Sequence, residues 1–245
     1  MAEPERMGMV LDLQAMRERL RGCARTPKEI AAWEADRATS RRQEASHRVQ
    51  LAIASVHDSA AVSGAGPIEP DAASREGIAW ARQWLPSMPG AVVWGGVGSG
   101  KTTLLCRLLG RLGMPVPSRP AALGYSVCLC SVPRLLAELS GRQVRGGYGE
   151  LLDAVGSVDV LVLDDIGVGT VRRGWGQHLW AVLDARWSAG RRPLLVTTNI
   201  DPADDPFLGM RWESGEERDV DRALDRLRAL APDRVRYEAE SRRRG

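Results

Sequence analysis

The sequence has almost no lysine and no long apolar run. Of its 34 lysine and arginine residues, only Lys28 and Lys101 are lysine. No hydrophobic stretch approaches the roughly 20 residues that span a bilayer, and the first residues, MAEPERMGMV, carry acids where a secretory signal carries basic residues. These absences argue against a membrane or secreted protein, so we expect a soluble protein in the cytoplasm.

Zinc-ligand patterns are missing as well. The four cysteines include no CxxC pair and have no histidine at zinc-ligand spacing. Cys128 and Cys130 alternate along an apparent strand, so we interpret them as small buried apolar residues, without a disulfide or a cysteine-bound metal. The net charge of +3 is too small to indicate nucleic-acid binding by itself.

The length of 245 residues suits one α/β domain with a smaller appendage. The segment SGAGPIEPDAAS is rich in glycine, proline and small residues, which is typical of a linker. We therefore predict a helical N-terminal domain over residues 1–60, a linker over 61–75 and an α/β domain over 76–245.

A phosphate-binding loop is the most specific motif of the chain. Gly95, Gly100, Lys101 and Thr102 match GxxxxGK[ST], between the apolar strand AVVW and the amphipathic helix KTTLLCRLLGRL. In such a loop the backbone N–H groups surround a phosphate, and the Thr102 hydroxyl can bind magnesium. The predicted ATP-binding residues are Gly95, Gly96, Val97, Gly98, Ser99, Gly100, Lys101, Thr102 and Thr103.

An acidic pair ends a second apolar strand, VDVLVLDDIG. Ligands of parallel sheets bind at the carboxyl ends of the strands, so these carboxylates are expected beside the phosphates. We predict that Asp164 holds Mg²⁺ through water, together with Thr102, and that Asp165 polarises the attacking water. Many NTPases have glutamate at the second position, and aspartate is one methylene shorter.

The segment LSGRQ resembles the signature sequence of ABC transporter ATPases. Only 38 positions separate Lys101 from Leu139, too few for the helical subdomain that carries that signature. No proline follows the acidic pair, and no histidine follows the next strand. We therefore interpret VPRLLAELSG as an ordinary helix that ends at a glycine C-cap.

The strand PLLVTTN ends in polar residues, which is typical of AAA+ ATPases, with Asn199 in the sensor 1 role. The preceding helix carries Trp180 and Trp187 on one face, where core packing is favoured over base stacking. In the last helix Arg222 and Arg226 are four positions apart and project together, either toward a neighbouring subunit's nucleotide or as a solvated basic face.

The ordered motifs GxxxxGKT, VPRLLAEL, VLVLDDIG, RRPLLVTTN, RALDRLR and ESRR make the segment from Gly77 to Arg244 similar to the DnaC and IstB group of AAA+ ATPases. The resemblance implies a P-loop core whose parallel sheet is flanked by helices. It also implies that Arg226 is an arginine finger acting in trans and that Arg243 is the sensor 2 residue. Arg242 departs from the tyrosine of the family's SYR motif.

The N-terminal segment TPKEIAAWEADRATSRRQEASHRVQLAIASV begins with Thr26 as N-cap and Glu29 closing a capping box. Trp33 is an apolar anchor on a charged helix, which suggests a partner surface, the alternative being an appendage folded onto its own domain. The TxxExxxW pattern resembles that of DnaC, whose N-terminal domain docks on the replicative helicase.

The resemblance thus implies an ATP-dependent loader that self-assembles through its AAA+ domain. It would bind a hexameric DnaB-type helicase and deliver it to single-stranded DNA during replication initiation or restart. Two alternatives remain: an IstB-type transposition helper acting with a transposase on duplex DNA, and a small-molecule kinase, in which Asn199 and the late arginines would have no role. Candidate DNA contacts are Arg142, Arg145, Arg172 and Arg173.

Overall fold

The computed structural model describes residues 48–68, 74–113, 123–167, 173–204 and 217–238. Its strands are β1 (Ala91–Trp94), β2 (Val127–Ser131), β3 (Val160–Ile166), β4 (Leu194–Thr198) and β5 (Asp233–Arg236). Its helices are α1 (Ser59–Gly64), α2 (Arg75–Gln83), α3 (Lys101–Leu112), α4 (Val132–Arg145), α5 (Tyr148–Ser157), α6 (Trp175–Ser188) and α7 (Glu217–Leu230), and residues 48–53 are also helical.

The described strands form one sheet in the order β2-β3-β4-β1-β5, and every pairing is parallel. The two strands that carry the predicted motifs, β1 and β3, both flank β4. Because parallel strands end at the same edge, the residues after β1, β3 and β4 are brought together. The predicted α/β P-loop fold is confirmed.

Alternating side chains of the strands enter two apolar clusters, one on each face of the sheet. Leu161 and Leu163 of β3 pack in the cluster with α4, α5, α6 and α7, whereas Val160 and Val162 pack in the cluster with α2 and α3. Cys128 and Cys130 share a face and are buried, as predicted. A sheet covered on both faces explains the nearly continuous apolar runs of its inner strands.

Two elements differ from the sequence-based expectations. Helix α4 does not end at Gly141 but continues to Arg145, and Gly146 ends it with a left-handed φ of 94°. Gly141 remains helical, and the Arg145 guanidinium packs against it. A Cβ added at Gly141 would lie 2.9 Å from Nη2 of Arg145. Strand β5 was not predicted, because its sequence DRVR places only Val235 in the core.

The N-terminal boundary also differs. Contacts divide the chain between Ala45 and Ser46 rather than at residue 60. Ile53 and Val56 are fully buried in the cluster beneath α4, and Val62 of α1 enters the other cluster. Residues 48–64 therefore belong to the α/β unit, and α1 occupies part of the predicted linker.

Of the helices within the described ranges, none combines the length and apolar character needed to cross a bilayer.

Candidate functional site

The glycine loop connects β1 to α3 at the carboxyl edge of the sheet. A Cβ on Gly95 would lie 2.1 Å from the carbonyl oxygen of Tyr237, which follows β5, so only glycine fits there. Gly100 caps α3 with a φ of 94°, a left-handed conformation that favours glycine. The backbone of the loop thus opens directly onto the N-terminus of α3, where a phosphate is favoured.

Lys101 is buried at the centre of the site. Its Nζ donates to the carbonyl oxygens of Gly95 (2.9 Å) and Gly96 (2.8 Å), and to Oδ1 of Asn199 (2.8 Å). Burial lowers the pKa of the ammonium, and the nearby carboxylates of Asp165 and Asp164 oppose this shift. The predicted loop lysine and the predicted sensor 1 residue are therefore in direct contact.

Asp164 is held between two hydroxyl groups. Thr102 Oγ1 donates to its Oδ1 (2.9 Å) and Oδ2 (3.2 Å), and Thr197 Oγ1 donates to Oδ1 (2.6 Å). Burial raises the pKa of Asp164, and the negative charge of the neighbouring Asp165 raises it further. The hydroxyl groups of Thr197 and Thr102 and the ammonium of Lys101 lower it, because they favour the ionised form. A carboxylate beside a hydroxyl is an oxygen donor set that suits Mg²⁺.

Asp165 has an unusual backbone. Its φ of 59° lies in the left-handed region, and the pairing of β3 with β4 is irregular between Leu163 and Ile166. Its N–H donates to Thr197 Oγ1 at 2.8 Å. Such irregularities turn side chains away from the regular alternation of a strand, and they are frequent next to active sites.

Arg226 lies on α7 and bonds within its own chain. Its Nε donates to Oδ1 of Asp184 on α6 at 3.1 Å, and its guanidinium carbon lies 4.8 Å from the centre of the Trp187 ring. Both charged side chains are about one-third exposed, at 36% and 34%. Trp180 and Trp187 pack partly against the core, as predicted, while arginines cover their outer faces.

The candidate DNA contacts are in different situations. Arg142 bonds to Glu138 (2.8 Å) and to Ser55 Oγ (3.0 Å), so it joins α4 to the segment before α1. Arg145 is mostly exposed, 3.7 Å from Glu138, and Arg173 is exposed. The predictions for Arg172, Arg243 and Trp33 concern positions outside the described residues.

Three residues with contacts in or beside the site were not assigned from the sequence. Thr197 was noted only as one of several polar residues at a strand end, and Asp184 was an unremarkable position in a helix. Tyr237 is buried beside the loop, with a ring carbon 3.7 Å from where a Cβ on Gly100 would be. All three meet the motifs only through the strand order or the packing of α6 on α7, which no local spacing reveals.

Solved structures with this fold include several replication proteins. The DnaC helicase loader matches with a TM-score of 0.53 at 15% identity, over 70% of this chain and 96% of that one. DnaI matches with a TM-score of 0.50 at 24% identity, over 66% and 81%. AMPPCP-bound DnaA from Aquifex aeolicus matches with a TM-score of 0.53 at 18% identity, over 69% and 48%. These similarities establish the AAA+ P-loop fold.

The similar curated proteins come from insertion sequences. A putative ATP-binding protein of IS1162 from Pseudomonas fluorescens is 30% identical over 117 residues, 48% of this chain and 46% of the relative. The putative insertion sequence ATP-binding protein y4uH of Sinorhizobium fredii (strain NBRC 101917 / NGR234) is 28% identical over 149 residues, 60% and 53%. The chain thus spans about half the length of these relatives. The model of the IstB-like ATP binding protein family matches residues 77–242, and the chain belongs to that family.

Proposed function

We propose that the protein is a Mg²⁺-dependent ATPase that uses nucleotide binding to assemble and hydrolysis to release a partner on DNA. The observation that carries the ATPase assignment is the meeting of Lys101, Asn199, Thr102 and Asp164 at one edge of the sheet. Phosphoryl transfer requires groups that bind the phosphates, hold the metal ion and position the attacking water. The loop, the acidic strand and the sensor strand offer residues for these tasks.

Each residue then has a distinct task. Lys101 exchanges its carbonyl partners for the β- and γ-phosphate oxygens of ATP and balances their charge. Thr102 would hold Mg²⁺ together with Asp164, which would act through a bound water, and the ion would supply positive charge beside the phosphates. Asp165 orients and deprotonates the attacking water, and Asn199, already bonded to the lysine, detects the γ-phosphate.

Hydrolysis would be completed between subunits. Arg226 of one copy would act as an arginine finger on the nucleotide of its neighbour, and Arg243 would contact the nucleotide of its own copy. These roles come from the resemblance to the DnaC and IstB group. They agree with the partial exposure of the Arg226 side chain, which is about one-third accessible.

A helicase loader is the first candidate for the work done by this ATPase. The TxxExxxW pattern around Trp33 resembles the helicase-docking domain of DnaC, so the N-terminal segment would hold a hexameric DnaB-type helicase. The AAA+ domain would bind single-stranded DNA, with exposed arginines such as Arg145 and Arg173 on the phosphates.

A transposition helper is the second candidate. It is favoured by the curated relatives, which are ATP-binding proteins of insertion sequences. In that case the ATP-bound assembly would form on duplex DNA and would engage a transposase instead of a helicase.

The two candidates differ in the DNA that promotes assembly and hydrolysis. ATP turnover and complex size should be measured with single-stranded and duplex DNA of the same sequence, and capture of a purified DnaB-type helicase should be tested in parallel. A loader is stimulated by the single strand and retains the helicase in the presence of ATP. Stimulation by duplex DNA without helicase capture would instead support the transposition helper.

A further inference from the structure

The hydroxyl of Thr197 lies between the two acidic residues of β3. Thr197 is fully buried, and its Oγ1 donates to Asp164 Oδ1 (2.6 Å) and accepts from the N–H of Asp165 (2.8 Å). A hydroxyl has one hydrogen, so these bonds fix its orientation: the hydrogen points to the carboxylate and a lone pair faces the amide. One side chain of β4 therefore restrains both aspartates.

The backbone makes this hydroxyl necessary. Leu163 pairs with Val196 and Ile166 pairs with Thr198, so Asp164 and Asp165 together face the single residue Thr197. In such a bulge the extra residue has no partner in the strand ladder. The Thr197 hydroxyl supplies the missing acceptor for the backbone N–H of Asp165. The φ of 59° at Asp165 is disfavoured for residues with side chains and is tolerated best by asparagine and aspartate.

The bulge also changes where the carboxylates act. In a regular strand adjacent side chains point to opposite faces, whereas the bulge removes Asp164 and Asp165 from this regular alternation. We propose that Thr197 is a positioning residue for the Mg²⁺-dependent reaction: it holds the Asp164 carboxylate against Thr102 and keeps Asp165 in the bulged conformation. This inference rests on the proposed ATPase function.

The test is Thr197→Val in the full chain, which replaces the hydroxyl by a methyl group of similar size. A fluorescent ATP analogue should be titrated at a series of Mg²⁺ concentrations, and turnover measured at saturating ATP. We expect the Mg²⁺ concentration for half-maximal binding to rise about 10-fold or more, the scale for partners that orient metal ligands. The affinity of Thr197→Val for the ATP analogue at saturating Mg²⁺ should change little. Thr197→Ser, which keeps the hydroxyl, should need about the same Mg²⁺ concentration as wild type. Thr197→Ala serves if the valine variant does not fold.

Thr198→Val is the matched control. Thr198 is also fully buried, but its Oγ1 accepts from the N–H of Ile200 at 3.2 Å and bonds to neither aspartate. If both valine variants raise the Mg²⁺ requirement equally, or if Thr197→Val leaves it unchanged while the wild type responds to Mg²⁺, the role of Thr197 is refuted and the ATPase function stands. A wild type that binds ATP without any response to Mg²⁺ would refute both.

Discussion

Lys101 Nζ and Asn199 Oδ1 are 2.8 Å apart although 98 positions separate the two residues in the chain. The contact exists because β1 and β4 are neighbours, with Trp94 opposite Thr198. It joins the phosphate loop to the end of β4, and Thr197 of β4 bonds in turn to Asp164 of the acidic pair on β3. A γ-phosphate bound by the lysine would therefore lie within reach of the asparagine, and its loss would change the hydrogen bonds of the residue that follows β4.

Lys101→Ala should abolish ATP binding. Lys101 is the only lysine among the residues that the structure describes. Charge-assisted hydrogen bonds contribute about 1.5–3 kcal/mol each, so losing two predicts a fall in affinity of at least about 100-fold. Titration with a fluorescent nucleotide measures this. Lys28→Ala, which changes the other lysine of the chain, is the control and should bind normally; affinity within a few-fold of wild type for Lys101→Ala would contradict the assignment.

Asp165→Asn should bind ATP but lose turnover. The amide keeps the size of the side chain and cannot take a proton from water, and general bases contribute roughly 10²- to 10⁴-fold to rates. Binding titration combined with steady-state hydrolysis separates the two effects. Normal hydrolysis by this variant would show that another group activates the water.

The motifs of the site were predictable because each is a local pattern. The loop around Lys101 and Asn199 each follow an apolar strand, and the acidic pair lies near the carboxyl end of another, β3. Parallel strands bring such ends together. Thr197 was not assignable, because its role depends on a bulge that pairs two residues of β3 with one of β4. Gly141 was misinterpreted as a helix end, since a glycine inside a helix costs only about 1 kcal/mol and the packing of α4 outweighs it.

Asp164→Asn should stabilise the nucleotide-free protein while abolishing hydrolysis. Burial raises the pKa of Asp164 above its ordinary value of 3.8, so the folded state binds a proton more tightly than the unfolded state. Its contribution to stability is therefore lost as pH rises from that ordinary value through the raised one. Above this window the variant should gain up to about 1 kcal/mol, the scale of a favourable single substitution.

Urea unfolding at several pH values on both sides of the window tests this. The amide oxygen of the variant can still accept from Thr102 and Thr197, so the comparison isolates the buried charge. The two proteins should converge in stability at low pH. An asparagine variant that is less stable than wild type at neutral pH would contradict the prediction.

Trp33→Ala should weaken helicase capture by about 2 kcal/mol, roughly 30-fold in affinity, which is the scale of an aromatic hot spot. ATP binding and single-stranded DNA binding should remain intact, because the predicted nucleotide site lies in the other unit of the chain. Pulldown of a DnaB-type hexamer by the full chain, with thermal unfolding in parallel, measures both effects. Equal losses of stability and of capture would indicate that Trp33 packs on its own domain.

Arg226→Ala should leave ATP binding nearly normal and reduce hydrolysis by about 10³- to 10⁵-fold, the effect of removing an arginine finger. Its ion pair with Asp184 offers a competing, purely structural role. That pair is about one-third exposed on each side, and such pairs contribute about 1 kcal/mol or less to stability. A small drop in melting temperature is therefore expected, and it is far too small to account for a thousandfold loss of turnover.

Arg222→Ala provides the matched control on the same helix. Arg222 lies one turn earlier, 3.7 Å from Asp219 and over the Trp180 ring at 5.8 Å, so it repeats the ion pair and ring contact of Arg226. If Arg226 is the finger, only Arg226→Ala loses hydrolysis, and Asp184→Asn, which removes the same ion pair but keeps the guanidinium, retains most of it. Equal losses for Arg226→Ala and Asp184→Asn would support the structural role.

Mixing variants tests whether the finger acts between subunits. Arg226→Ala subunits keep an intact nucleotide site, and Lys101→Ala subunits keep an intact finger, so mixed assemblies contain interfaces at which one copy supplies each part. Hydrolysis should therefore recover partly in the mixture although each variant alone is inactive. The control is a mixture of Arg226→Ala subunits with subunits that carry both Lys101→Ala and Arg226→Ala. Hydrolysis should not recover in this mixture, because no copy supplies a finger. If confirmed co-assembly at every ratio gives no more hydrolysis than this control, Arg226 does not act in trans.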